Sequence, residues 1–226
     1  MRPGIEAVII AIDEPQLERC LSAVHSQTRP FDQVRLVNNV VPAAAAFNLS
    51  LAGVRYRRVM YVGGDMIVDH DAAARVMDLT LDACGVYAWC FGLRDSFIDR
   101  RIAGVHVYPG DVVVRYPQPD VMRCDLQTAC TARRNGLHVI MMLDCVIGSH
   151  FDDPDTDQVF RRFYVRGQKP RAAYYRRLLE RRFAATGDRR FDLAIRALDM
   201  GCQGDRLNDS PNISRMRELI AEAAIA

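Results

Sequence analysis

The chain has 226 residues, half of them hydrophobic, and its 30 basic and 28 acidic side chains leave a formal charge of +2 at pH 7. That balance excludes a disordered polyelectrolyte and a protein that coats nucleic acid, and describes an ordinary soluble globular chain. A chain of this length buries roughly 70% of its unfolded surface, so it needs no disulfide or structural metal to fold. Ala7 to Ile12 is a continuous apolar run, the pattern of a parallel strand buried on both faces. Asp13-Glu14-Pro15 ends it and opens a helix in which Leu17, Cys20, Leu21 and Val24 recur at helical spacing. Gln33 to Asn39 predicts a second strand, closed by Asn38 and Asn39, and Ala43 to Leu51 a helix. Val59 to Val62 predicts a third strand, and the β-α-β-α-β order predicts a parallel sheet with helices on both faces.

The third strand breaks at Gly63-Gly64 and presents Asp65 at the break, with Asp69 placed as N-cap of a helix over Ala72 to Leu81. A buried strand ending in glycines and an acid is how α/β proteins set a carboxylate at a sheet's carboxyl edge, where ligands bind. Beyond residue 80 strands and helices stop alternating cleanly. Val86 to Phe91 reads as a strand, Gly104 to Tyr116 as one or two strands broken at Pro109-Gly110, and Asp120 to Asn135 as a helix. His138 to Ile147 is a long apolar strand that runs into Gly148-Ser149-His150. From Asp157 onward the pattern is helical, broken at Gly167, at Gly187 and around Gly201 to Pro211.

The seven cysteines are odd in number and never spaced C-x-x-C, which argues against a zinc knuckle and a secreted disulfide framework. No signal peptide opens the chain and no apolar run approaches the ~20 residues of a spanning helix, so the expected compartment is the cytoplasm. Arg171 to Phe183 places Ala172, Tyr175, Leu179 and Phe183 on one helix face beside arginines. Such a helix can lie peripherally on an anionic membrane, but its apolar face is expected to pack on the protein.

Several enzyme classes lack their signatures. No glycine follows the first strand in Ile12-Asp13-Glu14-Pro15, as a dinucleotide-binding turn needs. There is no G-x-S-x-G elbow and no P-loop lysine, since Lys169 is the chain's only lysine. The pieces that remain, in order, resemble a family-2-type glycosyltransferase of the GT-A fold over roughly residues 5 to 165. They are the opening Ala7 to Gln27, the strand ending at Asn38-Asn39, Ala46-Phe47-Asn48, Gly63-Gly64-Asp65 at the family's DxD position, Cys124-Asp125-Leu126 ahead of Arg133-Arg134-Asn135-Gly136, and His150. The DxD motif is degenerate, because Gly63 stands where the first acid belongs.

The resemblance implies an α/β GT-A-like fold, a mostly parallel central sheet flanked by helices with a helical appendage. It implies a core over 1–156, with a nucleotide-binding half at about 1–83 and an acceptor half at about 84–156, and an extension over 157–226. It also implies transfer of a sugar from a nucleotide-diphosphate donor to a hydroxyl of a glycan or small-molecule acceptor, inverting and assisted by Mn or Mg, in polysaccharide or glycoconjugate assembly. Asp65 and His150 are then the metal ligands, and one or two carboxylates suffice for a cation that keeps its waters. Asp125 is the general base, with Asp120 and Asp144 as nearby alternatives. Asp13, Glu14, Asn38, Asn39, Asn48 and Gly64 surround the donor, and Arg161 and Lys169 offset diphosphate charge. Each also has a plain structural role open to it: turn chemistry for Asp13, Asn38, Asn39 and Asp65, a helix's first turn for Asp125, a solvated basic helix for Arg161. The rival reading is a non-catalytic GT-A-like module that binds a nucleotide sugar, a glycan or a partner protein.

Overall fold

The computed structural model describes residues 1–12, 14–80, 87–117, 130–204 and 218–219, and the chain divides into two compact units, Met1–Asp152 and Asp153–Ala226. The first unit opens as β1 (Arg2–Ala11), α1 (Leu17–His25), β2 (Gln33–Asn38), α2 (Ala43–Leu51) and β3 (Tyr56–Gly63). β1 lies between β2 and β3 and pairs parallel with both, setting Ala11 beside Asn38 and Ile10 beside Gly63. The carboxyl ends of the three strands therefore share one edge. β4 (Met66–Val68), α3 (Ala72–Leu79), β5 (Tyr87–Asp95), β6 (Arg100–Pro109), α4 (Gly110–Arg115) and β7 (His138–His150) follow. Among the described residues the strands form one sheet in the order β2-β1-β3-β6-β5-β7-β4. β6 runs antiparallel to β3 and β5, β7 parallel to β5, and β4 antiparallel to β7, the mixed half that the lost alternation predicts.

Burial on both faces explains the unbroken apolar run of β1, since successive side chains point to opposite sides of a strand. Ala7, Ile9, Met60 and Val62 meet Cys20 and Val24 of α1 and Val76 of α3. Val8, Val59 and Tyr61 meet Ala46 of α2 and Val113 of α4. One ion pair sits within this packing. Glu6 is fully buried, its Oε1 accepts from Arg35 Nη2 at 2.6 Å, and Arg35 Nη1 donates to the Ser50 carbonyl at 2.6 Å.

Two local expectations are corrected. Residues 110–115 are helical, not strand: Pro109 is the N-cap, and Val112 and Val113 are buried on two different clusters while Asp111 and Arg115 pair at 2.9 Å. Packing overrides the β-preference of three consecutive valines there. Asp69 does not cap α3; Asp71 holds that position without a side-chain cap bond, and both acids instead grip Arg75 Nη2, at 2.6 and 3.0 Å. β4 itself has no sequence signal of its own. Of the helix expected over Asp120 to Asn135, residues 130–134 are helical and 118–129 lie outside the described residues.

The second unit comprises, among its described residues, α5 (Thr156–Gly167), α6 (Ala172–Thr186) and α7 (Arg189–Gln203). A capping box between Asp155 and Gln158 starts α5, left-handed Gly187 (φ 67°) ends α6, and Asp188 accepts from Arg190 N–H to start α7. α5 and α7 cross where a Cβ on Gly167 would lie 2.1 Å from the Leu198 carbonyl and one on Gly201 2.1 Å from that of Tyr164. On α6, Leu178 and Leu179 are buried while Tyr174 and Phe183 are exposed. No described helix is long and apolar enough to cross a membrane.

Candidate functional site

Gly64 and Asp65 form the turn between β3 and β4. Gly64 N–H donates to the Ile10 carbonyl at 2.9 Å, which holds the turn against the carboxyl end of β1. A Cβ at Gly64 would stand 2.7 Å from Ala11 Cβ, 3.3 Å from Ala11 Cα and 3.2 Å from Glu14 Oε2, so only glycine fits. Glu14 Oε2 in turn accepts from Ile12 N–H. Behind the turn, the Cys20 thiol donates to the Gly63 carbonyl at 3.5 Å. Burial pushes that thiol up to about 12, and the charges of Asp65 and Glu14 push in the same direction. Cys20 is thus a neutral donor under the turn and no nucleophile.

β4 carries Asp65 to its partner. Met66 to Val68 pair with His150 to Gly148, and Phe151 N–H donates to the Asp65 carbonyl at 3.2 Å. Asp65 Oδ2 then stands 3.1 Å from His150 Nε2, with the two side chains 24% and 13% exposed. The other ring nitrogen of His150, Nδ1, faces Asp95 Oδ2 at 3.4 Å. The imidazole stacks on Phe151, with centroids 5.6 Å apart and planes at 21°, and Phe97 meets Phe151 edge-on.

The structure brings Asp65 and His150 into contact and sets Gly64 beside Glu14. Asn38 ends β2 and Asn39 follows it with φ 56°, its N–H donating to the Ala11 carbonyl at 3.0 Å, so both asparagines are exposed at the same carboxyl edge. Asn48 is half-buried in the second half of α2. Arg161 lies on α5 and Lys169 just after it, both in the second unit. Asp13 and Asp125 lie outside the described residues. Sequence reading passes over Asp95, since it ends the β5 run at Phe91. The available signal is the one that marks Asp65, an acid closing a long apolar strand.

Among the described residues there is no group of three or more His, Cys, Asp or Glu suited to holding a metal ion. Two donors are nevertheless enough for a hard divalent cation that keeps several waters. At bond lengths of about 2.1 Å, neighbouring octahedral ligands stand about 3 Å apart. Asp65 Oδ2 and His150 Nε2, 3.1 Å apart, match that spacing, and an imidazole beside a carboxylate suits a manganese-like ion. The donor set fits such an ion.

No protein-family model matches the chain, and no curated protein sequence matches it. Solved structures do. A mannosyltransferase from Pyrobaculum calidifontis, solved with GDP-Man and Mn2+, superposes over 100% of this chain and 80% of its own, with TM-score 0.57 and 16% identity. S. aureus TarS 1-349, in complex with UDP-GlcNAc, matches over 98% and 87% with TM-score 0.54 and 10% identity. The match to a longer S. aureus TarS chain, at TM-score 0.50 and 11% identity, covers 73% of this chain and 39% of that one. The fold is therefore GT-A-like.

Proposed function

We propose that the chain is a glycosyltransferase, taking a sugar from a nucleotide-diphosphate donor to an acceptor hydroxyl with a divalent cation, Mn or Mg, held by Asp65 and His150. The observation that carries this reading is the Asp65–His150 pair, 3.1 Å apart at the carboxyl edge of a GT-A-like sheet and next to the Gly64 turn. That edge is where α/β sheets bind ligands. Structures of the same fold described with GDP-Man and Mn2+, and with UDP-GlcNAc, support the donor class.

In this reading Gly64 lets the donor approach the backbone, and Asp13, Glu14, Asn38 and Asn39 meet the nucleoside from the ends of the first two strands, with Asn48 as a further candidate. When bound, the cation offsets charge on the departing diphosphate. Asp125 accepts the proton of the acceptor hydroxyl as its oxygen bonds to the anomeric carbon. The bond from that carbon to the diphosphate oxygen breaks, which inverts the configuration.

Thermal melting against UDP, GDP, CDP and their sugars, each with and without Mn2+, tests the reading. A ligand that binds only the native state raises Tm by mass action. A Mn2+-dependent shift with one nucleotide, absent in Asp65→Ala, is expected, together with sugar release that is lost in Asp125→Asn. Nucleotide binding without turnover of any sugar nucleotide would leave the non-catalytic module. No shift at all would overturn the donor site.

A further inference from the structure

We infer that Asp95, which no sequence motif marks, is the positioning residue of the site. It holds the ring of His150 through Nδ1 so that Nε2 is the nitrogen turned toward Asp65. The inference rests on the reading of Asp65 and His150 as cation ligands and adds to it the device that makes His150 competent.

Four observations carry it. Asp95 is the last residue of β5 and lies in register opposite His150, the last residue of β7. Its side chain is wholly buried, a costly place for a carboxylate without partners. Oδ1 accepts from Ile98 N–H at 3.1 Å, and Oδ2 faces His150 Nδ1 at 3.4 Å. Finally, the backbone holds both ends of the contact, since Ser96 N–H donates to the His150 carbonyl at 3.1 Å and the imidazole is stacked on Phe151.

A carboxylate can only accept a hydrogen bond, so a cation that takes the Nε2 lone pair beside Asp65 leaves the ring proton on Nδ1, where Asp95 accepts it. Nε2 is the nitrogen that faces Asp65. A carboxylate behind a ligating histidine orients the ring and raises its basicity, and its loss typically weakens metal binding about 10- to 100-fold. Because Oδ1 is already committed to Ile98 N–H, an amide at this position is forced into conflict. Keeping that bond turns the NH2 toward Nδ1, so that two donors face each other whenever a cation occupies Nε2.

The test uses the full chain and Mn2+ alone, without nucleotide. Mn2+ affinity is measured for the wild type, Asp95→Asn, His150→Ala and the double variant, with Tm recorded for each. The expected result is a loss of affinity of about 10- to 100-fold in Asp95→Asn and no further loss from the same change once His150 is alanine, the coupling of residues that act as one unit. In parallel, nitrogen NMR of the protein loaded with diamagnetic Zn2+ should find the His150 proton on Nδ1. An Asp95→Asn variant that folds and binds Mn2+ as the wild type does overturns the positioning role alone. An equal loss in the His150→Ala background also overturns it, by reducing Asp95 to a merely structural residue. A wild type that binds no Mn2+ overturns the ligand reading and the positioning role together.

Discussion

His150 Nε2 stands 3.1 Å from Asp65 Oδ2, and three ladder pairs between β4 and β7 make that contact. In the proposed reading, removing either group removes one of the two cation donors. Asp65→Asn and His150→Ala are each expected to abolish the Mn2+-dependent rise in Tm seen with nucleotide. Asp144→Asn, at a 99% exposed carboxylate paired across the surface with Arg101, should leave that rise intact. Differential scanning fluorimetry with and without Mn2+ reads both outcomes.

Gly63, which ends β3, and Gly64, in the turn, predict different failures. A Cβ at Gly64 meets Ala11 Cβ at 2.7 Å and Cα at 3.3 Å, neither able to move independently of β1. Gly64→Ala should cost about 1–3 kcal/mol of stability in urea titration, the usual cost of overpacking. At Gly63 a Cβ meets Asp65 Oδ1 at 2.8 Å and Met66 Cε at 3.2 Å, both ends of movable side chains. Gly63→Ala should therefore unfold much like the wild type while displacing the Asp65 carboxylate, and Mn2+ affinity should fall.

Cys20 gives the site's support an alkaline signature. Its thiol is raised from 9.0 to about 12, by burial first and by Asp65 and Glu14 after it. The native state then holds a proton that the unfolded chain releases. The resulting stability is complete below the unfolded value and is lost as pH rises toward the folded one. Between pH 9 and 10.5 the wild type should lose about 2 kcal/mol more than Cys20→Ala, measured by urea unfolding at the two pH values. Iodoacetamide should label Cys20 only on unfolding, since a buried neutral thiol is inert.

Glu6 and Arg35 tie β1 to β2 with side chains 0% and 17% exposed. Glu6→Gln leaves the Arg35 charge with an amide in place of a carboxylate and is expected to destabilise by about 3–5 kcal/mol. Replacing both partners with apolar residues of similar volume should recover most of that loss. Chemical denaturation of the two variants separates the cost of an orphaned charge from the worth of the pair.

Much of the first unit is legible in the sequence because its signals are local. The apolar run of β1 reports burial on both faces, and the helical spacing of Leu17, Cys20, Leu21 and Val24 marks α1. The strand that stops at Gly63-Gly64-Asp65 announces a carboxylate at a sheet edge. Each depends on residues within a few positions of one another. What the tertiary structure alone decided depends on distant pairings. Met66–Val68 is a strand only because Gly148–His150 lies beside it. Residues 110–115 coil into a helix because Val112 and Val113 fill separate clusters, one with Ala88 and Leu137 and the other with Val59 and Tyr61. Asp95 gains its place behind His150 from the parallel pairing of β5 with β7. Sequence periodicity records which side chains a segment buries. It holds no record of which distant segment will lie beside it, and that juxtaposition is what brings Asp65, Asp95 and His150 together.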